Sequence, residues 1–342
     1  MKFIDSFIDV TKYAKKLPTS EYLDSGKYPI IDQGQKQIAG YTDIEEGLFT
    51  DVPAIIFGDH TRVIKYIDTP FFIGADGVKV IKCLDGGADY KYCYYLLKSA
   101  RIPDTGYNRH FKWLKESVFP EHNKQQQRQI VNTLTAIDEL IIQYYAETNK
   151  LDELIKSRFV EMFGDPIGNT KGFVTKVLKD VLILKAGDFT AASDISDEPT
   201  DKKIYPCYGG NGIRGYVSDY NQEGEYSLVG RQGALSGNVQ FAKGKFKNTE
   251  HALLVTPLVE MNNLWLNQLL INLDLKRYQT GAAQPGLSVK NLQEIPIVAV
   301  PIEEQDCFAD FVTQVVKQKA TVQQSIDKLE TLKKSLMQEY FR

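Results

Sequence analysis

The sequence contains few of the residues on which catalytic and metal sites are usually built. Its 342 residues include only four cysteines and four histidines, which are scattered and form no CxxC pair. We therefore expect reduced thiols buried in cores, and histidines that are surface or turn residues rather than catalysts or metal ligands. These eight residues are Cys83, Cys93, Cys207, Cys307, His60, His110, His122 and His251.

Motifs of the common hydrolytic and nucleotide-dependent enzymes are also missing. The segment 237–245 has the wrong glycine spacing for a Walker loop and lacks the Ser or Thr that follows its lysine. No HExxH or GxSxG pattern occurs, nor the Asn/Asp-Pro-Pro-aromatic loop of amino-methyltransferases. These absences favour a binding protein over an enzyme, and we expect no cofactor and no metal on this chain.

Long hydrophobic runs and an excess of positive charge are absent as well. No apolar run reaches the ~18 residues of a membrane span, and the first residues, MKFIDSFIDV, are interrupted by acids. We therefore expect no signal peptide and a cytoplasmic location. The composition, 43% hydrophobic and 25% charged, is that of a globular protein. A net charge of −3 gives no support to nucleic-acid binding by the chain as a whole.

The chain is a tandem duplication. The segment LDELIKSRFVEMF (151–163) aligns without gaps with LETLKKSLMQEYF (329–341), and six of the thirteen positions are identical. Further matches follow in the same order at similar separations. They pair Tyr28-Pro29 with Tyr205-Pro206, Gly40-Tyr41 with Gly215-Tyr216, Thr105-Gly106 with Thr280-Gly281, and Gln127 with Gln305. A repeat of this length is a domain rather than a solenoid unit.

Each copy has the same predicted plan. Short β-type runs bounded by glycine-rich turns lie at 54–58 and 78–82 in copy one, and at 226–230 and 252–256 in copy two. A short helix is predicted at 90–99 and at 262–272. A mixed α/β head is therefore expected in each copy.

A long stretch without glycine or proline closes each copy, from about 128 to 162 and from about 303 to 341. Apolar residues recur there in steps of three and four, which predicts an amphipathic helix of roughly 50 Å. Two such helices can bury their apolar stripes in a coiled coil, whereas packing of each helix on its own head is the alternative. We predict an α+β fold with two α/β heads, each followed by a long helix. The predicted domains are 1–122, 123–163, 164–300 and 301–342.

Glycine-rich loops of copy two carry polar side chains that suit DNA contacts. Glycine permits close approach of a backbone, and Arg, Gln and Asn carry the donors and acceptors that read base edges. The segment 202–249 has seven basic and three acidic residues, and three of its lysines alternate so that they share one face of a strand. The candidates are Arg231, Gln232, Asn238, Lys243, Lys245, Lys247, Arg277, Gln279 and Gln284.

Copy one offers two polar strings, 59–62 and 107–110, each followed by a lysine. Lysine would bind phosphate, whereas the amide and guanidinium groups could specify bases. Ordinary solvated loops have the same composition, so both interpretations stay open at this point. The candidates are His60, Arg62, Lys65, Asn108, Arg109 and Lys112.

The whole chain resembles the DNA specificity subunit of type I restriction–modification systems. The strings that carry the resemblance are YPIIDQGQKQIAGY (28–41), YPCYGGNGIRGY (205–216), TGAAQPGLSVKNLQEIPIVAVPIEEQ (280–305) and the LxxLxKSxxxExF pattern at both helix ends. The second half matches the family pattern well. The first half departs from it, because FKWLKESVFPEHNKQQQ (111–127) replaces Gln-Pro-Gly-Leu and lacks the Ile-Pro pair.

The resemblance implies a non-catalytic subunit that directs other subunits to DNA. In that family each head is a target-recognition domain that binds one half of a split double-stranded DNA site. The helices form an antiparallel coiled coil that holds the heads apart and docks two methyltransferase subunits, which methylate adenine with S-adenosylmethionine. A restriction subunit adds ATP- and Mg-dependent translocation and cleavage. Since the loops of the two heads differ, we expect a bipartite, asymmetric site.

Three alternatives remain open from the sequence. The paired heads could form a protein-interaction scaffold or lectin-like module that does not bind DNA, or an S-like decoy that inhibits a cognate complex. An enzyme with an unrecognised catalyst is the third. DNA affinity should fall steeply with salt as counterions are released, whereas scaffold binding should not.

Overall fold

The computed structural model describes residues 1–233, 235–281 and 286–342. They form two compact units, Met1–Tyr144 with Gln324–Arg342, and Tyr145–Gln323. The heads of these units, without the long helices, are called the first head and the second head below. The predicted domain bounds stay a prediction.

Two small sheets and two short helices make up the first head. One sheet has the strand order β1-β7-β4-β5, and the other has the order β3-β2-β6. The strands are β1 (Phe7–Asp9), β2 (Tyr28–Ile31), β3 (Gly40–Thr42), β4 (Ala54–Gly58), β5 (Ile64–Ile67), β6 (Phe72–Ile73) and β7 (Val78–Cys83). The helices α1 (Tyr90–Lys98) and α2 (Phe111–Glu116) precede the long helix α3 (Lys124–Phe163).

The second head contains a six-stranded sheet, β11-β10-β13-β12-β14-β9, and the pair β15-β8. Its strands are β8 (Thr175–Val177), β9 (Leu182–Ala186), β10 (Tyr205–Gly209), β11 (Gly212–Val217), β12 (Gln222–Gly230), β13 (Val239–Asn248), β14 (Ala252–Pro257) and β15 (Pro296–Val298). Its helices are α4 (Leu178–Val181), α5 (Asn263–Asn272) and α6 (Val289–Gln293), and the long helix α7 (Ile302–Tyr340) follows.

The strand pairing of the two heads repeats. In the first head β2 pairs antiparallel with β3 and parallel with β6, and in the second head β10 pairs antiparallel with β11 and parallel with β13. Pro29 lies opposite Tyr41 in one hairpin, as Pro206 lies opposite Tyr216 in the other. The tandem duplication predicted from the sequence is therefore visible in the topology.

Equivalent side chains also begin the helices. The carboxylate of Asp89 accepts the N–H groups of the first turn of α1, and the amide oxygen of Asn262 does the same for α5. Gln127 donates its side-chain N–H to the carbonyl of His122 at 2.9 Å, and Gln305 donates to that of Val300 at 2.8 Å. Each glutamine thus ties the start of a long helix to the residue five positions before it.

Within each unit the two long helices run antiparallel. In the first unit the carboxylate of Asp138 in α3 pairs with Lys333 in α7. In the second unit Asp152, later in α3, pairs with Lys319, earlier in α7, at 2.5 Å. The predicted long helices and their antiparallel coiled coil are therefore confirmed.

One expectation for the histidines and one for the cysteines are wrong. His110 is completely buried rather than at the surface, and Cys307 is an exposed free thiol rather than a core residue. Within the described residues no group of His, Cys, Asp and Glu side chains could hold a metal ion. No helix in the described part of the chain is long and apolar enough to cross a membrane.

One glycine string has a misleading spacing. Gly210, Gly212 and Gly215 match the GxGxxG pattern of dinucleotide-binding turns. They lie in the hairpin between β10 and β11, however, and not between a strand and a helix. The string therefore supplies no phosphate-binding helix terminus.

Candidate nucleic-acid interface

Three loops of the first head meet in what we call the first loop cluster, residues 32–37, 58–62 and 104–110. The backbone N–H of His60 donates to the side-chain oxygen of Gln33 at 3.2 Å, and the hydroxyl of Thr61 donates to the Gln33 carbonyl at 2.6 Å. Nδ1 of His60 lies 3.1 Å from the carbonyl oxygen of Asn108. Residues far apart in the sequence are therefore joined by hydrogen bonds at one edge of the head.

Two buried residues, Asp59 and His110, hold the 104–110 loop in place. The carbonyl of Asp59 accepts the backbone N–H of His110 at 2.8 Å and lies 2.9 Å from its Nδ1, while the Asp59 carboxylate accepts the N–H of Phe111 at 2.7 Å. Since a carbonyl can only accept, Nδ1 of His110 carries a proton. Both side chains are buried, so the 104–110 loop is fixed to the end of β4.

The polar candidates of the 104–110 loop and its neighbours are held at the surface. Arg62 donates to the carboxylate of Asp104 at 2.7 Å. The backbone N–H of Gly106 and the Arg62 guanidinium both lower the pKa of Asp104. Asn108 donates to the Thr105 carbonyl at 2.5 Å, and Arg109 is exposed beside it.

The two candidate lysines of the first head differ sharply. The side chain of Lys65 is only 2% exposed, and its ammonium group donates to the Lys36 carbonyl at 2.5 Å and lies 3.3 Å from a carboxylate oxygen of Asp32. Burial lowers the pKa of Lys65, although Asp32 opposes that shift. Lys65 is therefore not placed to contact a DNA phosphate. Lys112 is exposed, with its ammonium 4.1 Å from the ring centre of Trp113.

An equivalent second loop cluster lies in the second head, at 209–212, 230–233, 235–238, 275–281 and 286–287. Two glycines allow its loops to meet. A Cβ atom at Gly230 would lie 2.2 Å from the carbonyl oxygen of Gly210, and one at Gly237 would lie 2.7 Å from the backbone nitrogen of Lys276. Gly237 also has a φ of +86°, which other residues rarely adopt. The glycines thus serve contacts between the loops.

Most candidates of the second head belong to this cluster. The amide oxygen of exposed Gln232 lies 3.3 Å from Nδ1 of His251, and Asn238 donates to the amide oxygen of Asn211 at 3.0 Å. Gln279 donates to the Ser236 carbonyl at 2.5 Å. Arg231 is half-buried, whereas Arg277 is exposed and lies over the ring of Tyr278. Gln284 lies outside the described residues.

The alternating lysines of β13 are not free cations. Lys243 pairs with Glu225 at 2.7 Å, Lys245 lies 3.9 Å from Glu223, and Lys247 pairs with Asp219 at 2.6 Å. The first two pairs are directly opposite each other on β12 and β13. The expected basic stripe is therefore neutralised by neighbouring acids, and a phosphate would have to displace them. The pairs of Lys243 and Lys245 are exposed and therefore weak, so exchange there costs little, whereas the side chain of Lys247 is largely buried.

The two clusters are built alike. In the first head the carbonyl of Asp59 accepts the N–H of His110, and in the second head the carbonyl of Arg231 accepts the N–H of Leu287 at 2.8 Å. In both cases the loop after the central strand, β4 or β12, is bonded to the loop before the short helix α2 or α6. The side chains differ: the first cluster contains the stacked rings of His60 and Tyr107, whereas the second contains the hydrogen-bonded amides of Asn238 and Asn211.

Several residues of the clusters were not predicted from the sequence. Gln33, Asn211 and His251 contact candidate residues. Gln33 and Asn211 lie in the strings 28–41 and 205–216, which carry the family resemblance but were not taken as sites of DNA contact. Tyr107 stacks on His60. The only feature of the sequence that pointed to Tyr107 was its position in the polar string 107–110.

The second half of the chain matches a known family. Residues 170–331 match the family model described as type I restriction modification DNA specificity domain.

Segments of this chain are also similar to proteins named as type I restriction enzyme specificity subunits. A 130-residue segment, 38% of this chain, is 44% identical to the type I restriction enzyme EcoprrI specificity subunit of Escherichia coli. A segment of 115 residues, 33% of the chain, is 33% identical to a putative type I restriction enzyme specificity subunit of Haemophilus influenzae. The matches cover 32% and 28% of these relatives, so the chain spans about a third of the length of the curated proteins that it matches.

Solved structures share the fold over longer stretches. A type I restriction-modification S subunit from M. genitalium aligns over 100% of this chain and 95% of its own, with a TM-score of 0.59 and 20% identity. A structure from work on assembly and conformational transition of the type I R-M system aligns over 86% of this chain and 82% of its own, with a TM-score of 0.53 and 14% identity. These matches confirm the resemblance predicted from the sequence: residues 170–331 match the model of a type I restriction modification DNA specificity domain, and the chain shares the fold of solved S-subunit structures.

Proposed function

We propose that this chain is the non-catalytic DNA specificity subunit of a type I restriction–modification complex and recognises a bipartite, asymmetric site in double-stranded DNA. The observation that carries the proposal is the pair of loop clusters, which have the same backbone connection but different side chains. A duplicated scaffold with divergent polar loops is what two different half-sites require. Each head would then read one half-site.

The chemistry of the side chains supports base recognition. Gln232, Asn238 and Asn211 carry amide groups, which pair with adenine in the major groove, and Arg109 and Arg277 suit guanine or phosphate. Several of these groups are held by neighbouring loops, which reduces the entropy lost on binding. The proposal assigns no chemical step to this chain.

The partners proposed for this chain follow from its proposed role as a type I specificity subunit. We propose that two methyltransferase subunits dock on the helix pair α3 and α7, and that restriction subunits join them. S-adenosylmethionine, ATP and Mg would be bound by those partners. The alternation of apolar and polar residues on the helices is compatible with both the internal pairing and a further contact surface.

Selection from a pool of random-sequence duplexes tests the DNA-binding proposal with the full chain. The expected product is a family of sequences with two short, unlike motifs at a fixed separation. Binding should weaken by about 10³-fold or more between roughly 50 and 200 mM salt if six or more phosphates are contacted. A chain that selects no sequence would contradict the proposal and favour a protein scaffold. A chain that binds the partner subunits while preventing modification would instead be a decoy.

A further inference from the structure

The 104–110 loop presents one aromatic side chain almost entirely to solvent. Tyr107 is 86% exposed, and its ring lies parallel to that of His60, with 4.4 Å between the ring centres and 7° between the planes. The two residues come from different loops of the first loop cluster. An exposed aromatic ring that is stacked on a fixed neighbour is well suited to contact another molecule, since little side-chain freedom is lost on binding.

Several hydrogen bonds hold this stack in place. His60 is fixed through its backbone N–H to Gln33 and through Nδ1 to the Asn108 carbonyl. The loop itself is closed by the bond from Asn108 to Thr105 and by the Gly106 N–H, which donates to Asp104 at 3.1 Å. The Tyr107 ring therefore stands on a rigid support rather than on a free loop tip.

The stack limits how the Tyr107 ring can meet DNA. An intercalating side chain is inserted between two neighbouring bases and so needs both of its faces. One face of Tyr107 is already covered by the His60 imidazole. The ring can therefore offer a single apolar face and its edge to a groove.

In the major groove the C5 methyl of thymine is the apolar group that distinguishes one base from the others. We infer that Tyr107 is a specificity-determining residue of the first head and contacts the methyl group of a thymine in its half-site. His60 is a positioning residue that acts through the orientation of the Tyr107 ring. This inference rests on the proposed function and specifies which group of a base, the thymine methyl, the first head recognises.

Deoxyuridine, which lacks only the C5 methyl, is the direct probe. Once the bound site has been selected, duplexes with one thymine replaced by deoxyuridine are prepared for every thymine of both half-sites. The Kd of the full chain is then measured for each duplex. At one position the loss of the methyl group should raise the Kd about fourfold, because burial of one carbon contributes about 0.8 kcal/mol.

Variants of the stack connect that effect to Tyr107. Tyr107→Phe should keep the preference for thymine over deoxyuridine, and Tyr107→Ala should abolish it. His60→Ala should weaken the preference, and His60→Phe, which restores a ring for stacking, should recover it. The thymine-to-deoxyuridine ratio separates this role from a folding defect, since a partly unfolded protein would bind both duplexes less well in equal measure.

The outcomes distinguish the inference from the function on which it rests. A preference that survives in Tyr107→Ala, or its absence at every thymine of a specifically bound site, overturns the inference while the proposed function stands. A chain that forms no sequence-specific DNA complex overturns both. A fourfold preference that depends on the Tyr107 ring supports the inference.

Discussion

At the residue scale, burial decides which cations can contact DNA. Both Lys65 and Lys112 follow polar strings in the first head, and the sequence gives no reason to separate them. Lys65 lies on β5 with its ammonium against the Lys36 carbonyl, whereas Lys112 is exposed on α2. The difference arises from the tertiary fold, since the side-chain direction of a strand residue depends on the register of its sheet.

The two lysines therefore make a matched pair for a salt-dependence measurement. Lys112→Gln should weaken DNA binding uniformly across sequences and reduce the slope of log Kd against log salt by about one. Lys65→Met, which keeps the side-chain length, should leave that slope unchanged. An equal loss of slope in both variants would contradict the assigned positions.

Gln232 tests base recognition in the second head. Its side chain is exposed at the second loop cluster and is oriented by His251. Gln232→Ala should relax discrimination at one base pair of one half-site, by about 1–3 kcal/mol. The other half-site should be unaffected. Gln222→Ala, at the opposite end of β12, is the control, and selected sequences of each variant give the readout.

At the element scale, the sequence predicted the secondary structure closely but not the loop contacts. The predicted helices at 90–99 and 262–272 correspond to α1 and α5, and the four predicted β runs all lie in strands. Periodicity and glycine boundaries carry that information locally. The meeting of Gln33 with His60, or of Asn211 with Asn238, depends on strand order, which single-sequence patterns do not encode.

Replacement of Gln305 should reduce the free energy of unfolding more than replacement of Gln127, although both residues lie at the start of a long helix. Gln305 is buried and makes two backbone contacts, accepting the Asn262 N–H at 2.9 Å and donating to Val300. Gln127 is half-buried and donates to His122. Gln305→Ala should lower the free energy of unfolding by about 2–3 kcal/mol, and Gln127→Ala by about 1 kcal/mol. Thermal unfolding of the two variants measures the difference, and equal losses would argue against it.

At the scale of the whole molecule, the net charge of −3 does not exclude the proposed DNA binding, because the proposed contacts are local. Most of the residues proposed to contact bases lie in two small loop clusters, and the lysines of β13 are paired with acids. Composition averages over the entire chain and so conceals both features. The repeat pattern was the more informative signal, because it predicted two equivalent sites.

The antiparallel helix pair gives a test of the bipartite site. Deletion of four residues from each long helix, 145–148 in α3 and 323–326 in α7, should shorten each helix by about 6 Å, or roughly two base pairs. We expect the gap between the half-sites to change while the half-sites themselves remain the same. Selected sequences with an unchanged gap would show that the helices do not set the spacing.

Co-expression with the methyltransferase subunit from the same source tests whether this chain directs adenine methylation to a split site, as proposed. Modified adenines are then mapped across DNA at single-base resolution. We expect methylation within one asymmetric motif made of two short half-sites at a fixed gap, and we expect it to be lost when this chain is omitted. A stable complex that modifies no such motif, or methylation that is independent of this chain, would contradict the proposal.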